Sequence, residues 1–149
     1  QSGFKFSTQP NWDGTNYGKD FSTDGGAANI MMTEANGFYK VEVDLQALSY
    51  KLTPITSIGI IGEAAGGWDK DIVMTYDAAS HTWIAKSVTL KDGEIKFRAN
   101  GAWDISWGGT DLKKLTSNNG ANIRVNAGTY TIKLKPSYDG NTQAELTKE

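Results

Sequence analysis

The 149-residue sequence predicts an all-β protein: an immunoglobulin-like antiparallel β-sandwich, in tandem with a truncated first copy of itself. Three observations carry that reading. Apolar and polar residues alternate at two-residue spacing, and no stretch sustains a 3.6-residue apolar period. Seventeen glycines with only 21% charged residues are the composition of a turn-rich β chain. Finally, one cassette occurs twice, as Phe4-Lys-Phe-Ser-Thr-Gln-Pro-Asn-Trp12 and as Ile95-Lys-Phe-Arg-Ala-Asn-Gly-Ala-Trp103. Phe6 and Phe97, like Trp12 and Trp103, stand 91 positions apart (97 − 6 and 103 − 12). The offset persists from Tyr39 to Tyr130. A repeat this long is a small domain rather than a solenoid unit.

Length and period together give one complete unit and about half of another. Residues 1–53 are expected to be the C-terminal half of a preceding β-sandwich repeat, and residues 54–149 a complete domain, with the boundary around Pro54. The counterpart of residues 55–90 is expected to precede Gln1, so the chain reads as a fragment of a longer protein. A half-sandwich by itself exposes a sheet edge and an apolar face.

The strands follow in order. Phe4–Thr8, Asn29–Met32 and the alternating run Tyr39, Val41, Val43, Leu45 open the series, followed by Tyr50–Thr53. The second unit offers Thr56–Ile61, Asp71–Tyr76, Thr82–Leu90, Glu94–Ala99 and Asn122–Val125. Tyr130, Ile132 and Leu134 then alternate with threonine and lysines, and Gln143–Thr147 closes the set. Asp92-Gly93 signals a tight hairpin because both residues tolerate positive φ. Tyr76–His81 reads as a longer turn, and Asp111–Leu115 as one helical turn. Trp83 is the expected core tryptophan.

Composition removes several functions. A net charge of −2 leaves little electrostatic drive for nucleic acid. Without cysteine there are no disulfides, thiolate nucleophiles or thiolate metal sites. No apolar run approaches the roughly 20 residues that span a bilayer. The single His81 adjoins Ser80 in a turn, whereas a triad needs the two to meet across a fold. Asp69, Asp71, Asp104 and Asp111 do not form the cleft-lining pair of a glycosidase, nor an EF-hand. A non-catalytic protein without cofactor or metal is expected.

The cassette points to binding. On a Glu94–Asn100 strand, Ile95, Phe97 and Ala99 face inward while Lys96, Arg98 and Asn100 face the other way. The Gly101–Gly109 loop that follows carries Trp103, Asp104 and Trp107. Indoles cover the apolar face of a pyranose, and Lys, Arg and Asn donate to its hydroxyls. Trp107, beside two glycines, is expected to be exposed and to stack the sugar. Trp103 or Trp68 would be the second aromatic. The candidate carbohydrate-binding set is therefore Trp68, Lys96, Arg98, Asn100, Trp103 and Trp107.

Five segments then resemble a known family in order: Ile58–Asp69, Met74–Asp77, Thr82-Trp83, Lys96–Asn100 and Trp107–Gly109. They are similar to the tandem domains of the SusE/SusF starch-binding proteins, outer-membrane lipoproteins of Bacteroidetes glycan-uptake systems. The resemblance implies β-sandwich modules that bind oligosaccharides or polysaccharides, α-glucans above all, at the cell surface beside other proteins of an uptake complex. It implies a membrane anchor outside this fragment, while the net charge of −2 leaves no nucleic-acid partner expected. In the first copy Arg98 becomes Ser7 and Asn100 becomes Gln9, while Lys5, Trp12 and Tyr17 are kept, so that site is expected to be degenerate or differently tuned. Two rival readings are a structural spacer and a protein–protein adhesion module. Exposed tryptophans at 103 and 107 favour sugar binding, and buried ones favour the spacer.

Overall fold

The computed structural model describes residues 2–34, 36–137 and 140–149. It contains two compact units, Gln1–Pro54 and Ile55–Glu149. In the first, the strands are Gly3–Phe4 (β1), Phe6–Ser7 (β2), Asn16–Tyr17 (β3), Ile30–Met31 (β4), Phe38–Asp44 (β5) and Ser49–Ile55 (β6), the last crossing the boundary. They pair two by two, β1 with β4, β2 with β3 and β5 with β6. Phe4, Phe6, Phe21 and Tyr50 gather into an aromatic cluster, with Phe6 stacked on Phe21 at 6.0 Å. Val41 and Val43 of β5 are exposed.

The second unit runs through Ile58–Gly62 (β7), Gly67–Val73 (β8), Thr75–Asp77 (β9), Thr82–Leu90 (β10) and Gly93–Ala99 (β11). Ser106–Gly108 (β12), Thr116–Ser117 (β13), Ile123–Val125 (β14), Gly128–Lys135 (β15) and Gln143–Lys148 (β16) complete it. One sheet has the order β16-β15-β10-β9, and the other β13-β12-β11-β7-β8 with β14 also paired to β11. Every pairing between these strands is antiparallel. This is an all-β sandwich. Its core is closed by the inward parity of each strand: Ile60 from β7, Ile95 and Phe97 from β11, Ile132 and Leu134 from β15 are all without exposure. Removing each such side chain from water contributes about 1.5–3 kcal/mol. Trp83 is also in this core, packed against Tyr76 at 5.5 Å.

Two local expectations change. Asp71–Tyr76 is not one strand: β8 belongs to one sheet and β9 to the other, and Met74 crosses between them with 2% exposure. A buried, apolar, unbranched residue at the crossing lets the chain change sheets through the core. Asp92-Gly93 does not close a hairpin either, because β10 and β11 lie in opposite sheets. The dipeptide turns a corner, with Gly93 at φ 155° and Asp92 Oδ1 accepting from the Ala127 N–H at 2.7 Å. Asp111–Leu115 is a single turn, closed by Lys114 N–H to Asp111 O at 3.1 Å, with no helix following.

The two units share a pairing pattern. Phe6 stands opposite Tyr17 as Phe97 stands opposite Trp107, and Phe4 opposite Ile30 as Ile95 opposite Ile123.

Candidate functional site

The site lies on the outer face of the β12-β11-β7-β8 sheet. Alternation in β11 sends Ile95, Phe97 and Ala99 into the core and turns Lys96 and Arg98 outward. Glycines on the two flanking strands leave room beside them. Gly59 is paired with Arg98, and a Cβ there would stand 2.7 Å from the Asp71 Cβ. A Cβ at Gly108 would stand 2.9 Å from the Lys96 Cε. The missing side chain at Gly59 leaves room for Asp71, the partner of Arg98, and the one at Gly108 leaves room for Lys96.

Arg98 is only 8% exposed, so its charge needs a partner. Its Nε donates to Asp71 Oδ1 at 2.9 Å and to Oδ2 at 3.2 Å, across the β7 strand. Trp103 covers the guanidinium, whose Cζ is 4.9 Å from the ring centroid, and Lys96 Nζ is 5.8 Å from the same centroid. Both distances are within cation–π reach.

The loop between β11 and β12 sets Trp103 there. Asn100 and Gly101 take successive left-handed conformations, at φ 56° and 63°, and reverse the chain. Ala102 N–H then bonds Ala99 O, and Ile105 is buried as the loop's anchor. On the other side, the β7–β8 corner begins at Gly62, where a Cβ would sit 2.2 Å from Glu94 O. Gly66 and Gly67, at φ 104° and 139°, complete it and deliver Trp68 at the start of β8. Trp68 and Trp103 come together from these two corners, centroids 6.1 Å apart and planes inclined by 40°. They are 39% and 46% exposed, so two adjoining indoles face solvent above a pair of cations.

Four of the six sequence-derived site residues are thus brought together: Trp68, Lys96, Arg98 and Trp103. Trp107 is not with them. It is 6% exposed and belongs to the core, because residues 106–108 form a strand and its position opposite Phe97 gives it the same inward parity. The expectation that it faces solvent is corrected. Asn100 turns the chain instead of extending the outward row: its Oδ1 accepts from Thr56 N–H at 2.8 Å, and also from the Thr56 hydroxyl. Asp71 was missed as a partner of the site, since 27 residues separate it from Arg98 and only the sheet order joins them.

Elsewhere, Trp12 is 72% exposed in the first unit and shares a shallow depression with Lys5, Asn16 and Asn29. Tyr17 is half-buried near Phe21. Ser80 and His81 do not address one another: the Ser80 hydroxyl bonds Asp77, and the imidazole Nδ1 meets the Tyr76 hydroxyl at 3.1 Å.

A family model of SusF/SusE starch-specific carbohydrate-binding modules matches residues 57–144, more than half of the chain and including the whole indole–cation site. The chain belongs to the SusF/SusE family. No curated protein and no solved structure matches it significantly. Within this SusF/SusE module the matched span begins just before β7 and ends in β16, so the family's sequence pattern covers the second unit except residues 55–56 and 145–149.

Proposed function

We propose that this protein is a non-catalytic starch-binding module whose glycan stacks on Trp103 and Trp68. The observation that carries the reading is the exposed indole pair, 6.1 Å apart and inclined by 40°. Successive glucosyl rings of an α-1,4-linked chain turn relative to one another, and two inclined rings offer each of them an apolar surface. Lys96, half-buried with its ammonium beside Trp103, supplies donors for ring hydroxyls at the edge of the platform. Arg98 lies beneath the indole, which leaves the opposite ring face for the ligand. Family membership supports starch as the polymer.

We further propose that the module works at the bacterial cell surface within a glycan-uptake complex, held by an anchor outside this sequence. Among the described residues no helix is long and apolar enough to cross a membrane. The matching ladders Phe6–Tyr17 and Phe97–Trp107 support the first unit as the second half of a like module.

The test is affinity electrophoresis in soluble starch, with calorimetry against maltoheptaose. Trp103→Ala is expected to remove retardation and Trp68→Ala to reduce it strongly, while the protein keeps its fold in both. Retardation equal to the parent in both variants would overturn the site.

A further inference from the structure

We infer that Asp71 is a positioning residue of this site, setting the pose of Trp103 through Arg98 without touching the glycan. The inference rests on the stacking reading above and goes beyond it, since Asp71 belongs to none of the groups that meet a sugar there.

The chain of contacts is short. Asp71 reaches across the Gly59 gap to Arg98, and its carboxylate takes the Arg98 Nε with both oxygens. The side chains of the pair are 15% and 9% exposed, so the ion pair is largely withdrawn from water. An arginine side chain has many rotamers, and a free one would swing its charge out to solvent. Held by Nε, the guanidinium is fixed beneath the indole at 4.9 Å and serves as its floor. Trp103 is nearly half exposed, with Trp68 beside it at 6.1 Å, so the guanidinium is a large part of what holds its pose. Loss of the carboxylate leaves a buried guanidinium uncompensated, which drives it outward and removes that floor. The indole then samples other poses, and a stacking ligand must meet the cost of ordering it again.

The experiment compares Asp71→Asn, Arg98→Lys, Arg98→Met and Trp103→Ala in the full chain. Three properties are read: maltoheptaose binding, the near-ultraviolet circular dichroism of the Trp68–Trp103 pair, and thermal melting. Asp71→Asn is expected to keep a cooperative melt, to lose the dichroic band that Trp103→Ala also loses, and to weaken binding about five- to tenfold. Adding Asp71→Asn to Arg98→Met should weaken binding by less than about twofold more, since both act through one contact. Should Asp71→Asn fail to fold, Arg98→Lys keeps the charge but loses the planar fork, and is expected to show the same loss of band and affinity. Retention of band and affinity by Asp71→Asn, or by Arg98→Lys in its place, overturns the positioning role. If Trp103→Ala still abolishes binding in that case, the stacking site stands by itself. Parent-like binding by Trp103→Ala overturns both.

Discussion

Trp107 stands directly opposite Phe97 in the β11–β12 ladder, and both side chains enter the same core. Four residues earlier, Trp103 lies on the other face of that sheet, over Arg98. One hairpin therefore carries a structural tryptophan and a surface one, and truncation separates them. Trp107→Ala is expected to cost about 3–5 kcal/mol in urea unfolding, as a large core truncation does, while the folded fraction still binds glycan. Trp103→Ala is expected to leave stability within about 1 kcal/mol and to remove binding. A Trp107→Ala protein as stable as the parent would contradict the core assignment.

How much of this was legible follows from where the information resides. Strand parity is local, so the inward set of Ile95, Phe97 and Ala99 could be read from two-residue alternation alone. The role of Trp107 could not, because the glycines around it read as a loop; its parity is fixed by register with Phe97. A weak signal was present in Ile105-Ser106-Trp107, whose apolar–polar–apolar order matches the observed burial of Ile105 and Trp107 in one core. Gly108 read as part of a loop, yet it lies in a strand and clears space for Lys96, while Gly59, inside an expected strand, clears space for Asp71. Asp71 carried no signal of its own, since partnership with Arg98 depends on β8, β7 and β11 being neighbours. Asp92-Gly93 specified a sharp reversal without specifying which sheet receives the chain.

Gly59 offers a test of the outer face that changes no site residue. A methyl group there would sit 2.7 Å from the Asp71 Cβ and 3.1 Å from its Cγ, too close for ordinary packing. Gly59→Ala must displace Asp71, with a cost of about 1–3 kcal/mol for the forced shift. Melting temperature and maltoheptaose affinity should fall together. A variant that melts with the parent and binds equally well would show that the Asp71 side chain moves aside freely.

Asp77 gives the β9–β10 turn a pH dependence. Its carboxylate accepts from the Ser80 hydroxyl and from the backbone N–H groups of Ala79 and Ser80, and the Ser80 hydroxyl chiefly holds its pKa below the ordinary aspartate value. A depressed folded pKa contributes stability above the unfolded value and loses it as pH falls through the folded one. The turn is therefore expected to stay closed through the neutral range and to loosen only below the ordinary aspartate range of about 3.9. Amide exchange at Ser80, followed as the solution is acidified, is the measurement. Asp77→Asn should abolish that acid-dependent step, and its persistence in the variant would assign it to another carboxylate.

The indole pair also predicts which glycans are refused. Trp68 and Trp103 meet at 40°, so a flat ribbon can lie on one ring but not on both. An α-1,4-linked chain curves between neighbouring rings, whereas a β-1,4-linked chain stays extended. Maltoheptaose is expected to bind with a dissociation constant of about 0.1–1 mM, or roughly −4 to −5.5 kcal/mol, because an open platform buries little area after association costs are met. Cellohexaose, restricted to one indole, should bind about tenfold more weakly. The two sugars should respond differently to Trp68→Ala: maltoheptaose loses its second contact and falls toward the cellohexaose value, while cellohexaose on Trp103 changes little. Calorimetry on parent and variant measures all four affinities. Equal binding of the two sugars by the parent protein would mean that the inclination of the rings does not select the glycan.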